Sequence, residues 1–261
     1  MERPSVGFLA LVVGPCLLGL GGCANFWDDV TSRDFAVSSL WTKPNPLVVL
    51  AESSDGNKRA QALRSLQEPA QHGGAQKDQD AIVQILTAAA TSESRALCRL
   101  AAIKTLSTFK DPRAGEALDR AFLDTTQFLP ETNNVIKQQA LAALGKTGSP
   151  LAQRRLILVA NEPPPAADTN EVEKQQKMDL KLTAIRALGK YNHYEVTETL
   201  VKVLKTEKDV GVRDRAQESL VSITGKRLPA DAKSWETYLH QEGGPPPQSK
   251  NPFAVLVSWW Q

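Results

Sequence analysis

One short pattern returns five times along the 261-residue chain, and it limits what the chain can fold into more than any other feature. A basic residue is followed by two variable residues, an alanine, a residue that is usually leucine or isoleucine, two further variable residues, and a leucine. The copies are Arg59-Ala62-Leu63-Leu66, Arg99-Ala102-Ile103-Leu106, Lys137-Ala140-Leu141-Leu144, Lys181-Ala184-Ile185-Leu188 and Arg213-Ala216-Gln217-Leu220. Their alanines lie 40, 38, 44 and 32 residues apart. Alanine, the residue after it and the leucine four positions on share one face of a helix. The small alanine lets a second helix come close, so each copy reads as a helix packed on its neighbours. A repeat of this length is the mark of a stacked array of supersecondary units.

The basic residue sits one turn before the alanine on a neighbouring edge of that helix. Its stem can lie on apolar surface while its head finds a carboxylate or a carbonyl. Asp55 and Asp209 stand four residues before Arg59 and Arg213, a spacing suited to such a pair, and both can also cap their helix starts. A structural role for the five cations is therefore the reading adopted, against the competing reading of a basic ligand-binding stripe.

Between these helices the sequence predicts a second helical segment in each unit, giving a series of hairpins: Pro46 to Ala51, Asp80 to Ala90, Pro112 to Leu123, Pro150 to Ala160 and Tyr194 to Lys205. Proline suits the first helical position because its missing N–H has no helical partner there anyway. Gly145 and Gly189 directly follow a pattern leucine and are expected to end their helices with positive φ. The 6% aromatic share and the recurrence of Ala and Leu favour packed helices over a sandwich of strands.

These residues resemble the HEAT repeats, including the short variety often labelled phycobilisome-lyase-like. Lys110-Asp-Pro-Arg-Ala114 looks like that family's inter-helix turn, and the Arg/Lys-x-x-Ala-x-x-x-Leu helices look like its second helices. Leu220-Val-Ser-Ile-Thr-Gly-Lys226, followed by Trp235 and Tyr238, is similar to a closing cap with aromatics over the last hairpin. The resemblance implies an all-α fold, a right-handed α-solenoid of about five helical hairpins with a terminal capping helix, over residues 44–241. The polar Gln217 and the inserted loops Glu68 to Lys77 and Asn161 to Lys174 depart from the pattern.

The ends of the chain carry different signals. An apolar run from Val6 to Leu20 leads into Gly21-Gly22-Cys23, which reads as a signal peptide over residues 1–22, although Glu2 offsets Arg3 in its charged start. Leu20-Gly21-Gly22-Cys23 resembles a bacterial lipobox, and that resemblance implies cleavage before Cys23 and a diacylglycerol on its thiol. An uncleaved anchor over roughly Ser5 to Ala24 is the alternative, and its many glycines make it a poor helix. Losing Cys16 with the signal and Cys23 to lipid leaves Cys98 alone, in an apolar helical run where a thiol is a small core residue. Residues 23–43 are read as a lipid-anchored segment whose Phe26, Trp27, Phe35 and Trp41 could rest at the membrane interface or seal the open end of the repeats, the seal being the favoured reading. Residues 242–252 form a Gly/Pro-rich linker, and residues 253–261 an apolar aromatic tail too short to cross a bilayer and expected to fold back or bind.

Chemistry is harder to find. The 31 Lys+Arg against 29 Asp+Glu leave a net charge of +2, which gives no field favouring nucleic acid. No His-Glu-x-x-His, Gly-x-Ser-x-Gly, P-loop or dinucleotide fingerprint occurs after the signal, and His72, His193 and His240 are too far apart for a metal site in a stacked array. The expectation is therefore a protein without enzymatic activity, cofactor, metal or nucleic-acid partner. It is read as a scaffold in the bacterial cell envelope, held to the membrane by its amino-terminal lipid, with protein partners that the sequence does not identify. The surface expected to meet them is the outward side of the second helix of each hairpin, including Lys104, Thr105, Arg186, Glu218 and Ser219. A chromophore lyase or isomerase built on the same repeats is the alternative that the family resemblance brings with it.

Overall fold

A computed structural model describes residues 44–124, 128–166 and 168–242. The signal peptide, Cys16, Cys23 and its lipid, the segment 23–43, the linker beyond residue 242 and the aromatic tail all lie outside the described residues. The chain divides into two units, Met1–Pro44 and Asn45–Gln261, and the described helices belong to the second.

That unit is all-α among the described residues. In chain order its helices are α1 (Pro46–Glu52), α2 (Gly56–Ser65), α3 (Gln76–Ser92), α4 (Ala96–Leu106), α5 (Pro112–Leu123), α6 (Pro130–Thr147), α7 (Pro150–Ala160), α8 (Glu171–Leu188), α9 (Tyr194–Thr206), α10 (Val210–Thr224) and α11 (Ala232–Glu242), with a 3-10 turn at Pro69–His72. None of them is long and apolar enough to cross a membrane.

Local chemistry sets most of these boundaries. Four helices, α1, α5, α6 and α7, carry proline in their first turn. The side chains of Asn45, Asp55, Asp111, Ser149, Asn170 and Asp209 each accept a hydrogen bond from a first-turn amide that the helix leaves unpaired. Asn170 starts α8 earlier than the sequence reading allowed, so the excursion after α7 is shorter than Asn161 to Lys174. The other inserted loop holds the 3-10 turn, closed by Gly73 at φ 75°.

The glycine assignments need correction. Gly145 lies inside α6, and Gly189 has φ −59°, so neither ends a helix in the left-handed region; Gly148 at φ 67° and Gly225 at φ 70° do. Both misassigned glycines serve close packing. A Cβ on Gly145 would stand 2.6 Å from Ala187 Cβ, and one on Gly189 would stand 3.0 Å from Ser219 Oγ. Gly145→Ala is expected to lower stability by about 1 to 3 kcal/mol as overpacking, read from urea unfolding, while Lys146→Ala next to it leaves the midpoint unchanged.

Packing follows a simple rule of alternation. Consecutive helices pair as α1 with α2, α3 with α4, α5 with α6, α7 with α8, and α9 with α10. From α2 onward each helix also packs on the one two places away, the even-numbered series running from α2 to α10 and the odd-numbered series from α3 to α11. The alanine and leucine of all five pattern copies are buried where these helices meet, together with Leu63, Ile103, Leu141 and Ile185. Leu66 closes α2 as its C-cap residue.

Candidate interaction surface

The five pattern cations lie on the even-numbered helices, and four of them reach a loop beyond their own hairpin. Arg59 donates to the Leu50 carbonyl at 2.5 Å and pairs with Glu93, the residue that ends α3, at 2.9 Å. Arg99 is fully buried; its Nε donates to the Glu93 carbonyl at 2.8 Å and its Nη1 to the Asp124 carbonyl at 2.7 Å, where α5 ends. The guanidinium also lies 5.0 Å from the centre of the Phe128 ring. Lys181 forms an ion pair with Glu207 at the end of α9, with both side chains largely buried. Arg213 donates to the Ala230 carbonyl before α11 at 3.4 Å, and Lys137 is half-exposed on α6.

Cations placed at helix C-termini answer carbonyls left without helical partners and oppose the negative end of the helix dipole. Asp55 and Asp209, in contrast, use their carboxylates to cap α2 and α10. The partners are therefore carbonyls and carboxylates near helix ends, most of them in a neighbouring hairpin, and not the acids four residues upstream.

Register between neighbouring even-numbered helices is set by small residues three positions after the pattern alanine. Thr105 donates to the Leu63 carbonyl at 2.9 Å, and Ser219 donates to the Ile185 carbonyl at 2.9 Å. Both were expected to face outward; both are buried, because each hydroxyl finds a backbone acceptor on the adjacent helix. The other three chosen positions, Lys104, Arg186 and Glu218, are exposed.

A polar knot on the loop side escaped the sequence reading altogether. The buried Glu68 carboxylate accepts from the amides of Lys110 at 2.7 Å and Asp111 at 2.9 Å, and from Gln79 Nε2 at 3.2 Å. Arg113 joins Asp111 and Asp80, each at 2.7 Å, and its guanidinium holds the Asp111 carboxyl well below the usual carboxylate range. This network ties the loop after α2 to the Lys110-Asp-Pro-Arg turn.

The last hairpin closes on Trp235, which is fully buried. Trp235 Nε1 donates to Gln217 Oε1 at 2.8 Å, and Gln217 Nε2 donates to the Leu228 carbonyl at 2.7 Å. The polar residue that breaks the fifth pattern copy thus belongs to the seal. Beside it lies a cavity of about 430 Å³ lined by Leu228, Lys233 and Tyr238 among others, and a second of about 220 Å³ lies between Pro163-Pro164 and the Lys181–Glu207 pair.

The remaining sequence candidates are dispersed. Cys98 is buried, its Sγ 3.4 Å from the Gly56 carbonyl oxygen, and burial pushes its pKa up. His72, His193 and His240 are exposed, on the 3-10 turn, before α9 and in α11. No protein-family model and no curated protein sequence matches the chain.

Proposed function

We propose that the chain is a lipid-anchored envelope protein whose helical hairpins stack as a HEAT-like solenoid and hold protein partners without catalysing a reaction. The observation that carries this reading is the alternation of contacts, hairpin partner and next-but-one helix, kept through five copies of one pattern. Stacking of that kind presents an extended surface made of equivalent positions from successive units, which suits binding to another protein chain. The exposed Lys104, Arg186 and Glu218 occupy one such position. The sequence Leu20-Gly21-Gly22-Cys23 supports the anchor.

Two measurements test the reading. Mass spectrometry of the mature amino terminus should find Cys23 first and carrying diacylglycerol, whereas Cys23→Ser should leave unmodified precursor; an intact 1–22 segment on the wild-type chain overturns the lipoprotein assignment. Tagged chain captured from crosslinked membranes should bring down a discrete protein in stoichiometric amount. Recovery of nothing beyond an untagged control contradicts the scaffold.

A further inference from the structure

We propose that the exposed face of the even-numbered helices binds an extended acidic segment of a partner protein, an assignment that rests on the scaffold reading above and names its partner class. The observation behind it is that the cations of these helices fall into two sets. Four of the five pattern cations are held by carbonyls or carboxylates of neighbouring loops. A second set, Arg64, Lys104, Lys146, Arg186 and Lys190, is exposed and has no ion-pair partner among the described residues.

The second set is placed by the repeat. Arg64, Lys104 and Arg186 each stand two residues after the pattern alanine of α2, α4 and α8. Lys146 and Lys190 stand six residues after the alanines of the third and fourth copies; Lys146 is one turn further along the same side of α6, and Lys190 lies in the turn just past the end of α8. The Thr105 hydroxyl bond fixes α4 on α2, the Gly145–Ala187 approach fixes α6 on α8, and the Ser219 hydroxyl bond fixes α10 on α8, while α4 packs on α6 between these pairs. In α10 the equivalent residue is Glu218, already engaged by Arg215, and there the run of positive charge ends.

The spacing selects the ligand. Packed helices lie about 8 to 10 Å apart. An extended peptide advances about 3.3 Å per residue, so carboxylates at every third position recur about every 10 Å, one helix spacing, which matches Arg64 and Lys104 on adjacent helices, while Ala142 at the equivalent place in α6 doubles the step to Arg186. Next to the cations the face is apolar: Leu97 and Val135 are exposed five residues before the pattern alanines of α4 and α6, and Leu100 and Leu182 are half-buried two residues before those of α4 and α8. An acidic segment with apolar residues between its carboxylates satisfies both bands. Binding at an exposed cationic row is screened over about 8 Å at physiological salt, which makes its salt dependence diagnostic.

The test uses the mature lipidated chain in neutral detergent and fluorescence anisotropy with three short synthetic peptides. One carries Glu at every third position with Leu and Ala between, the second has the same composition with its Glu clustered at one end, and the third has Lys in place of Glu. The spaced peptide should bind most tightly and lose affinity as salt is raised. Lys104→Glu with Arg186→Glu should weaken it by about tenfold or more with the melting curve unchanged; Lys104→Gln with Arg186→Gln, which adds no repulsion, should weaken it less. Equal affinity for all three peptides, or for wild type and charge-reversed protein, overturns the proposal. Displacement of the peptide by an equal amount of soluble short-chain phosphatidylglycerol also overturns it, in favour of a lipid headgroup. If membranes yield the same partner with wild-type and charge-reversed chains, the scaffold stands and the acidic docking face falls.

Discussion

Trp235→Ala is expected to cost about 3 to 5 kcal/mol, the range for removing a large aromatic from a packed interior. The ring is fully buried and meets Tyr238 edge-on at a centroid distance of 5.9 Å. Its indole N–H is the donor to Gln217 Oε1, so truncation leaves both a cavity and a half-buried amide short of one partner. Trp235→Phe separates the two contributions: it keeps most of the apolar area, loses the hydrogen bond, and should cost only about 1 to 3 kcal/mol. Urea unfolding followed by far-ultraviolet circular dichroism reads both variants. Because Trp235 lies in α11, which packs on α9, amides of α9 to α11 should lose exchange protection before those of α4 to α6. Uniform loss of protection along the chain would contradict that end-first order.

Leu144→Ala is the second large effect, at about 2 to 5 kcal/mol for a fully buried leucine in the middle of the helical unit. Leu144 lies on α6, which packs against α4, α5, α7 and α8, so few sites have less freedom to collapse into the space left behind. Its carbonyl accepts from the buried Tyr191 hydroxyl at 3.1 Å, which fixes the backbone there and further limits relaxation. The control is Gln139→Ala, an exposed position on the same helix, where the expected change is within about 0.5 kcal/mol. Equal unfolding midpoints for Leu144→Ala and Gln139→Ala would mean that the pattern faces the wrong way.

What the sequence discloses follows the range of the forces involved. The pattern alanines and leucines obey the helical period, and the starts of α1, α5 and α7 depend on a proline in the first turn with Asn, Asp or Ser before it, all within a few residues. Arg59 and Arg99 each have one partner within 9 residues, at Leu50 and Glu93, but their other partners and that of Lys181 lie 34, 25 and 26 residues away, in loops whose position depends on the packing itself. Thr105 and Ser219 were misplaced because a hydroxyl is read as polar, although one carbonyl on an adjacent helix suffices to bury it. Gly145 and Gly189 were misplaced for a related reason: a glycine near a helix end signals either a left-handed cap or a close approach, and only the neighbour decides. Glu68 gave no sign at all, since its role depends on amides 42 and 43 residues further on. Lys104, Arg186 and Glu218 were legible as exposed because they fall outside the apolar face of their own helices.

The scaffold account turns on which face of the helical unit meets another protein. Photocrosslinking side chains placed singly at Lys104 and Arg186, on the even-numbered helices, and at Glu116 and Glu198, on the odd-numbered ones, test this in intact cells; all four positions are exposed. The account predicts one discrete protein adduct from Lys104 and Arg186 and none from Glu116 or Glu198. Adducts formed only from Glu116 and Glu198, or formed alike at all four, would contradict it.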